Sequence, residues 1–210
     1  MLAIKNLLLL VACLLWFSAH GQAAGKILPE DFSYRGVCLG DSEAKMKECL
    51  GEPMYNLPRS VLGVAVIYHA YRDDLTVGVL SGERKVVEII DKGEKYAARG
   101  GIRHGATTYK ITQVYGQTEK RLIDGYVSYV YENPARPRER LILTIEPERG
   151  GLKAFRLTGL PLTEEEADSW VEEARQNNDE DTLALFTAKD GGIDLSALPP
   201  DKPVRLRRPE

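Results

Sequence analysis

The chain has 210 residues, 43% hydrophobic and 28% charged, which is enough for one or two folded domains. Its 28 Lys and Arg residues against 31 Asp and Glu residues give a formal net charge of −3. This mild acidity argues against a nucleic-acid partner, because binding a phosphate backbone needs a concentrated basic surface.

The first 24 residues have the layout of a secretory signal peptide. Lys5 supplies the positive charge, Leu7 to Phe17 form the apolar run, and small residues around Ala19–Ala24 offer a cleavage site. The run is shorter than the ~20 residues of a membrane-spanning helix. We therefore expect the signal at 1–24 to be removed, leaving a periplasmic or secreted protein with no transmembrane segment. Leu10–Cys13 also has the form of a bacterial lipobox, but the apolar run continues past Cys13, so a lipid anchor is not expected there.

Two cysteines, Cys38 and Cys49, follow the predicted signal. An even cysteine count in an exported chain favours a disulfide bond between them. Closing so short a loop would stabilise the fold by ~3 kcal/mol. The alternatives are two buried free thiols, or a reactive or metal-binding cysteine.

One stretch of the sequence occurs twice. The segment Gly36–Gly51 returns without a gap as Gly101–Gly116, at a constant offset of 65 residues, with three glycines and a lysine in register. In the first copy, Ser42 is the expected N-cap of a helix of about two turns, and Gly51 supplies the left-handed position that ends it. A helix this short needs tertiary packing to be stable.

Three strand-like runs follow the helix in each copy. They are Val64 to Tyr71, Leu75 to Leu80 and Lys85 to Ile90 in the first copy, and Tyr126 to Tyr131, Leu141 to Glu146 and Lys153 to Thr158 in the second. In the second and third runs the apolar residues alternate, which is typical of strands with two different faces. We expect the face with Leu75, Val77, Val79, Val87 and Ile89 to pack on the helix. The sequence thus predicts an α+β fold of two tandem repeats, 32–98 and 99–161, each a short helix on a three- to four-stranded antiparallel sheet.

The composition changes after the second copy. Thr163 and Glu166 form a capping box, and Trp170 lies on the narrow apolar stripe of the helix that they begin. We predict a C-terminal helical segment at 162–188. The tail at 189–210 is rich in Gly, Pro and charge, and we expect it to be disordered.

The sequence shows no recognisable catalytic or cofactor motif. A phosphate-binding loop, a nucleophile elbow and a dinucleotide fingerprint are all missing. Only His69 and His104 follow the predicted signal, and together with the two cysteines they lack the paired spacing of a structural zinc site. A Cys–His nucleophile would require a free thiol. We therefore predict no catalytic residue, no metal and no cofactor.

The pattern Gly-x-[Ser/Thr]-x-x-x-[Met/Ile]-x-x-x-[Leu/Tyr]-Gly, at Gly40–Gly51 and Gly105–Gly116, resembles the helix entry of the SmpA/OmlA lipoproteins of bacterial outer-membrane assembly. It is also similar to the tandem-repeat β-lactamase-inhibitor proteins, which carry two such units. These families usually have an apolar residue after the first glycine, where this chain has Asp41 and Ala106. The resemblance implies an α+β fold and a non-enzymatic, protein-binding role, without identifying a partner.

Our principal functional hypothesis is an exported protein-binding module of the bacterial cell envelope, whose open sheet face meets another envelope or extracellular protein. The candidate binding face comprises Thr76, Glu88, Thr144, Glu146, Arg156 and Thr158. Glu88 and Arg156 are expected at the same repeat position with opposite charge, so the two halves of the face would differ electrostatically. The alternative for this face is that the Trp170 helix covers it. The alternatives for function are a periplasmic hydrolase with carboxylates between the repeats, and a structural component of envelope assembly.

Overall fold

The computed structural model describes residues 25–186; the predicted signal peptide at 1–24 and the predicted tail at 189–210 lie outside the described residues. The strands are β1 (Ser33–Tyr34), β2 (Val37–Cys38), β3 (Tyr55–Val61), β4 (Val64–Ala70), β5 (Leu75–Leu80), β6 (Val86–Asp91), β7 (Lys120–Ile123), β8 (Tyr126–Asn133), β9 (Arg136–Ile145) and β10 (Leu152–Thr158). The helices are α1 (Glu43–Leu50), α2 (Thr108–Tyr115), α3 (Glu164–Asn177) and α4 (Glu180–Leu185), and short 3-10 turns occur at Pro29–Phe32 and Arg99–Gly101. Within this part of the chain, no helix has the length and apolarity needed to cross a bilayer.

The predicted α+β class is confirmed, with one large antiparallel sheet at its centre. The sheet has eight strands in the order β3-β4-β5-β6-β10-β9-β8-β7. Strands β3 to β6 follow α1, and strands β7 to β10 follow α2. The two halves meet at the antiparallel pair of β6 and β10, where Glu88 lies opposite Thr158.

The helix ends follow the local sequence signals. Ser42 and Thr107 cap α1 and α2 by accepting from the backbone N–H of Lys45 and Lys110. Thr163 caps α3 in the same way, but the Glu166 carboxylate accepts from the N–H of Leu162 instead of that of the cap residue. Each of these helices begins where its capping hydroxyl satisfies an otherwise unpaired N–H group.

Strands β3 and β7 were not among the predicted strand runs. Each is an edge strand that joins its neighbour through a two-residue loop, Leu62-Gly63 or Asp124-Gly125. All four loop residues have positive φ, as a type I′ hairpin turn requires. Pro58 lies in the middle of β3, which an edge strand tolerates because one side of its backbone has no partner strand.

The main hydrophobic core lies between one sheet face and the helices α1 and α2. Met46 of α1 and Ile111 of α2 are fully buried against it. The core also contains Val77, Val79, Ile89, Leu141, Leu143, Phe155 and Leu157, as the alternation predicts. The prediction for Val87 is wrong: Val79 pairs with Val86 and Gly78 with Glu88, so Val87 is the extra residue of a β-bulge and turns to the other face.

The helices α3 and α4 cover one end of the opposite sheet face. A second apolar cluster forms there and consists of Val64, Val66, Leu80, Leu160, Ala167 and Phe186, with Trp170 and Val87 packed against it. The remainder of this face is left uncovered by these helices. Both expectations for the face are therefore met in part, since the Trp170 helix covers one end and leaves the other open.

The predicted disulfide is not formed in the structure, where Cys38 and Cys49 are free thiols. Cys49 lies on the exposed side of α1, whereas Met46 of the same helix points into the core. Burial, followed by the nearby Asp41 carboxylate, raises the pKa of the Cys38 thiol, which favours its protonated form.

Candidate functional site

The open part of the second sheet face forms a cleft of about 620 Å³, which we call the sheet cleft. Its lining residues are Tyr55, Leu57, Arg59, Ser60, Val61, Leu62, Tyr68, Ala70, Asp74, Thr76, Glu88, Ile90, Lys92, Asp124 and Arg156. The volume lies within the range of ligand-binding pockets in proteins. Most of these residues come from β3 to β6, with Arg156 from β10 and Asp124 from the β7–β8 turn.

The floor of the sheet cleft consists of two rows of side chains that cross five strands. Strand pairing aligns Tyr55, Ala70, Thr76, Ile90 and Arg156 in the first row, and Leu57, Tyr68, Gly78, Glu88 and Thr158 in the second. Residues aligned in this way project from the same face of the sheet. The floor therefore runs from the apolar edge at β3 to a charged end at β6 and β10.

A buried ion pair lies at the end of the floor formed by β6 and β10. The Arg156 Nε donates to Glu88 Oε1 at 2.7 Å, and Arg156 Nη2 lies 2.6 Å from the same oxygen. The Tyr68 hydroxyl donates to the other carboxylate oxygen, Oε2, at 2.6 Å. Glu88 is only 1% exposed, so these three contacts provide what a buried carboxylate needs to remain charged. Burial, together with the Glu88 charge, raises the pKa of Tyr68, which keeps its hydroxyl proton available for donation.

Gly78 makes the contact between Tyr68 and Glu88 possible. A Cβ atom at this position would lie 3.0 Å from the Tyr68 ring, 3.0 Å from Val66 and 3.3 Å from the Glu88 Cβ. Since Gly78 has no side chain, the Tyr68 ring can cross its strand and reach the carboxylate. A glycine inside a strand often indicates such a close approach.

The other side of the Arg156 guanidinium faces the sheet cleft. Its Nη1 lies 3.9 Å from Asp124 Oδ2, which is too far for a hydrogen bond. Asp124 is at the tip of the β7–β8 hairpin, and its side chain is 86% exposed. Two further cations, Arg59 and Lys92, line the same cleft and form no ion pair with any described residue.

The rim of the sheet cleft at β3 exposes large apolar side chains. Tyr55 and Leu57 are 61% and 40% exposed, respectively. Because Pro58 has no N–H group, the outer edge of β3 lacks one donor, which disfavours addition of another strand there. The surface that β3 offers to a partner therefore consists of side chains, and those of Tyr55 and Leu57 line the cleft.

The structure separates the six residues of the predicted binding face. Thr76, Glu88 and Arg156 come together in the sheet cleft. Thr144 lies on the same face in β9, the strand next to β10, where Ser128 donates to its hydroxyl, and Glu146 lies 3.9 Å from Lys153. Thr158 is fully buried and accepts from the N–H of Leu160.

The predicted electrostatic difference between two halves of the face is wrong. Glu88 and Arg156 belong to adjacent central strands and neutralise each other across the junction of β6 and β10. The bulges explain the error: Val87 is the extra residue in β6 and Lys153 the extra residue in β10, so the counterpart of Glu88 in β10 is Ala154.

Sequence reasoning missed the contribution of β3, which supplies Tyr55, Leu57 and Arg59. A hairpin was indicated by the apolar residues Tyr55, Leu57 and Val61, which all fall on one side of an extended chain. The glycine of Leu62-Gly63 directly after them suits a two-residue turn. Pro58 obscured this signal, because proline normally counts against a strand.

A second open cleft, of about 720 Å³, lies between α3 and the strands β8 and β9. It contains several arginines, and they already have partners. Arg140 Nη1 lies 2.7 Å from Glu166 and Arg138 Nη2 lies 3.3 Å from Glu173, while both guanidinium groups lie over the Trp170 ring. These contacts attach α3 to the sheet, so we assign this cleft a structural role.

Among residues 25–186, no group of three or more His, Cys, Asp or Glu side chains is placed to hold a metal ion. The carboxylates that line the sheet cleft are those of Asp74, Glu88 and Asp124. Glu88 is bound by Tyr68 and Arg156, and Asp124 faces the same guanidinium from the solvent side. The charged chemistry of the cleft is therefore centred on Arg156.

No protein-family model matches the chain, and no curated protein sequence matches it significantly. Solved structures with partial similarity include an extracellular protein of Bacillus anthracis that contains an SCP domain, at a TM-score of 0.46 and 14% identity, covering 66% of this chain and 59% of that one. Another is a cysteine-rich secretory protein of Staphylococcus aureus, at a TM-score of 0.40 and 11% identity, covering 57% of this chain and 44% of that one. The match thus spans less than two thirds of either protein, and these similarities assign neither a ligand nor a partner.

Proposed function

We propose that this protein is an exported, non-enzymatic binding module of the bacterial cell envelope, and that its sheet cleft receives an extended segment of another protein. The observation that carries the proposal is the open cleft itself, bordered by Tyr55 and Leu57, on a sheet whose other surfaces are largely covered by helices. Exposed apolar side chains beside a concave surface are typical of an interaction site.

The composition of the cleft favours a protein partner. Two tyrosines and two arginines line it, namely Tyr55, Tyr68, Arg59 and Arg156. Aromatic residues and arginine are enriched at protein–protein interfaces, where they combine apolar area with directed hydrogen bonds. The lining residues come mainly from adjacent strands of the sheet, so an extended segment can lie across them.

Two further parts of the proposal concern origin and location. The helices α1 and α2 begin 65 residues apart, at Glu43 and Thr108, with hydroxyl caps and glycine ends in common. This correspondence supports a two-repeat organisation produced by duplication. The signal-like residues 1–24 and the resemblance to envelope families support export to the periplasm or beyond.

The test of the proposed function is capture of a partner by the full mature chain from an envelope extract, with identification by mass spectrometry. Changing Tyr55→Ser and Leu57→Ser together should reduce capture of the identified partner by about tenfold or more, because truncated interface anchors each cost ~1–2 kcal/mol. The melting temperature should stay nearly unchanged, since both side chains are at least 40% exposed.

The matched control is the double change Leu122→Ser and Val127→Ser. These residues are 75% and 47% exposed and pair with each other at the opposite edge of the sheet, outside the cleft. Capture should survive in this variant. Equal loss in both variants, or no loss in the cleft variant, would show that the sheet cleft is not the binding site.

A further inference from the structure

We infer that the bound segment carries an Asp or Glu side chain, and that this carboxylate binds Arg156 at the β10 end of the sheet cleft while apolar side chains of the same segment lie toward β3. The inference rests on the proposed function and specifies its ligand. It follows from the orientation of Arg156, from the cations around it and from the position of Asp124.

The first observation is that the Arg156 guanidinium is fixed in orientation, while its Nη1 group has no close ion-pair partner. Glu88 binds its Nε and Nη2, and Tyr68 fixes the other oxygen of Glu88. Nη1 points toward the cleft, with Asp124 at 3.9 Å as its nearest charged group there. A guanidinium group positioned in this way has its orientation set before a ligand arrives, which lowers the entropic cost of binding.

The second observation concerns two cations on the cleft walls. Arg59 and Lys92 line the cleft without an ion pair in the described part of the chain, whereas Glu88 is already neutralised by Arg156. Asp74 and Asp124 equal these two cations in number, so the cleft has no net charge, but Arg59 and Lys92 remain available to a ligand carboxylate. Charge-assisted hydrogen bonds from arginine to carboxylate are among the strongest in proteins.

The third observation concerns Asp124. Its carboxylate sits at the open side of Arg156, on a two-residue hairpin turn, and is almost fully exposed. It therefore has the position that an incoming carboxylate would take, and it competes weakly because its contact is long. The charged groups that contact Arg156 are both carboxylates, those of Glu88 and Asp124. A ligand carboxylate can therefore take the place of the Asp124 carboxylate.

The fourth observation indicates which side chains the rest of the ligand should carry. Along the first row of the floor, Tyr55, Ala70 and Ile90 surround Thr76, and Leu57 and Tyr68 form the neighbouring row. A segment that runs along these rows meets apolar side chains on the β3 side of Arg156. An extended peptide with one acidic residue, and with apolar residues at alternate positions on one side of it, fits this arrangement.

The test is selection of displayed random dodecapeptides on the full mature chain, with Gly/Ser linkers on both sides so that no terminal carboxylate is present. The inference predicts one enriched Asp or Glu, with apolar residues two positions away. Fluorescence polarisation with an enriched peptide should then show about tenfold weaker binding to the Arg59→Gln/Lys92→Gln variant. Binding to Asp124→Asn should be about three- to tenfold tighter, because the competing carboxylate is gone.

The control is the Lys120→Gln/Arg121→Gln variant, which loses the same charge on β7, outside the sheet cleft. Its affinity for the enriched peptide should remain within about twofold of the original. Enriched peptides without a fixed acidic position would overturn the inference and leave the proposed function intact, as would equal weakening in the control or no gain with Asp124→Asn. Failure to enrich any peptide would overturn the proposed function and the inference with it.

Discussion

Glu88 is an acidic residue in the middle of an eight-stranded sheet, and its charge is retained there for an identifiable reason. The carboxylate binds Arg156 on one side and Tyr68 on the other, so both of its oxygens have short hydrogen bonds. An isolated buried charge would cost far more than the fold could tolerate. The pair matters for the proposed function because it fixes the orientation of the Arg156 guanidinium beside the sheet cleft.

Glu88→Gln should lower the free energy of unfolding by about 3 kcal/mol, because it leaves a mostly buried guanidinium group without its counter-charge. Urea unfolding monitored by circular dichroism measures this change. The control is Asp73→Asn, which breaks an exposed ion pair with Lys95 of similar length, 2.8 Å, and should cost less than about 1 kcal/mol. Equal costs in the two variants would mean that burial does not govern the Glu88–Arg156 pair.

His69 is the second buried titratable residue that the sequence left unexplained. It lies on β4 beneath α1, fully buried, and neither ring nitrogen has a hydrogen-bond partner among the described residues. Burial lowers the pKa of His69, while the Glu43 carboxylate, 3.7 Å from Nε2, partly offsets the effect. Glu43 is itself held by Lys47 of α1 and by Arg84 of the β5–β6 turn.

This arrangement predicts acid sensitivity. Because the pKa of His69 is lower in the folded chain than the unfolded value of about 6.5, the unfolded chain binds more protons below that pH. The His69 contribution to stability is therefore complete above about pH 6.5 and is lost as the pH falls toward the folded pKa, with a slope of at most ~1.4 kcal/mol per pH unit. His69→Leu should flatten the dependence of the unfolding free energy between about pH 7 and 5. A flat profile in the original protein would contradict the prediction.

At the scale of elements, α3 decides how much of the second sheet face is open. Ala167 and Ala174 of this helix are buried, and Arg140 of β9 reaches it through Glu166 at 2.7 Å. The apolar contact is modest, since it consists of small side chains and a half-buried Trp170. The helix thus covers the end of the sheet near Val64 and leaves the sheet cleft free.

Ala167→Asp should release α3 from the sheet, because it places a charge at a position that is 1% exposed. Amide hydrogen exchange should show loss of protection in α3 and retained protection in α1. The matched control on the same helix is Ser169→Asp, at an exposed position, which should leave both helices protected. Retained protection of α3 in the Ala167→Asp variant would mean that other contacts suffice to hold this helix on the sheet.

Elements with local signals were predictable. Ser42, Thr107 and Thr163 cap helices by accepting from N–H groups three residues away. Both partners of each contact are therefore close together in the sequence. The strand at Leu75–Leu80 was predicted with its observed bounds, since its alternation reflects two unlike faces. The β-bulge at Val87 was not predictable, because an extra residue is defined only relative to the partner strand.

At the scale of the whole molecule, pairing of β6 with β10 joins both halves into one sheet. Phe155 lies opposite Asp91 and Leu157 opposite Ile89, and a single apolar cluster contains residues from both halves. The same pairing brings Glu88 and Arg156, which are 68 residues apart in the chain, into contact. The charged end of the sheet cleft therefore exists only because the two halves are joined.

The sequence by itself determined the α+β class, the two capped helices that begin the halves and the face of the sheet that packs beneath them, because caps and alternation act between near neighbours. The tertiary structure decided which part of the opposite face stays open, where β3 lies and which groups meet Arg156. Those outcomes depend on pairings between distant strands and on the docking of α3. The free energies of such contacts depend on burial, which arises only when residues far apart in the sequence come together.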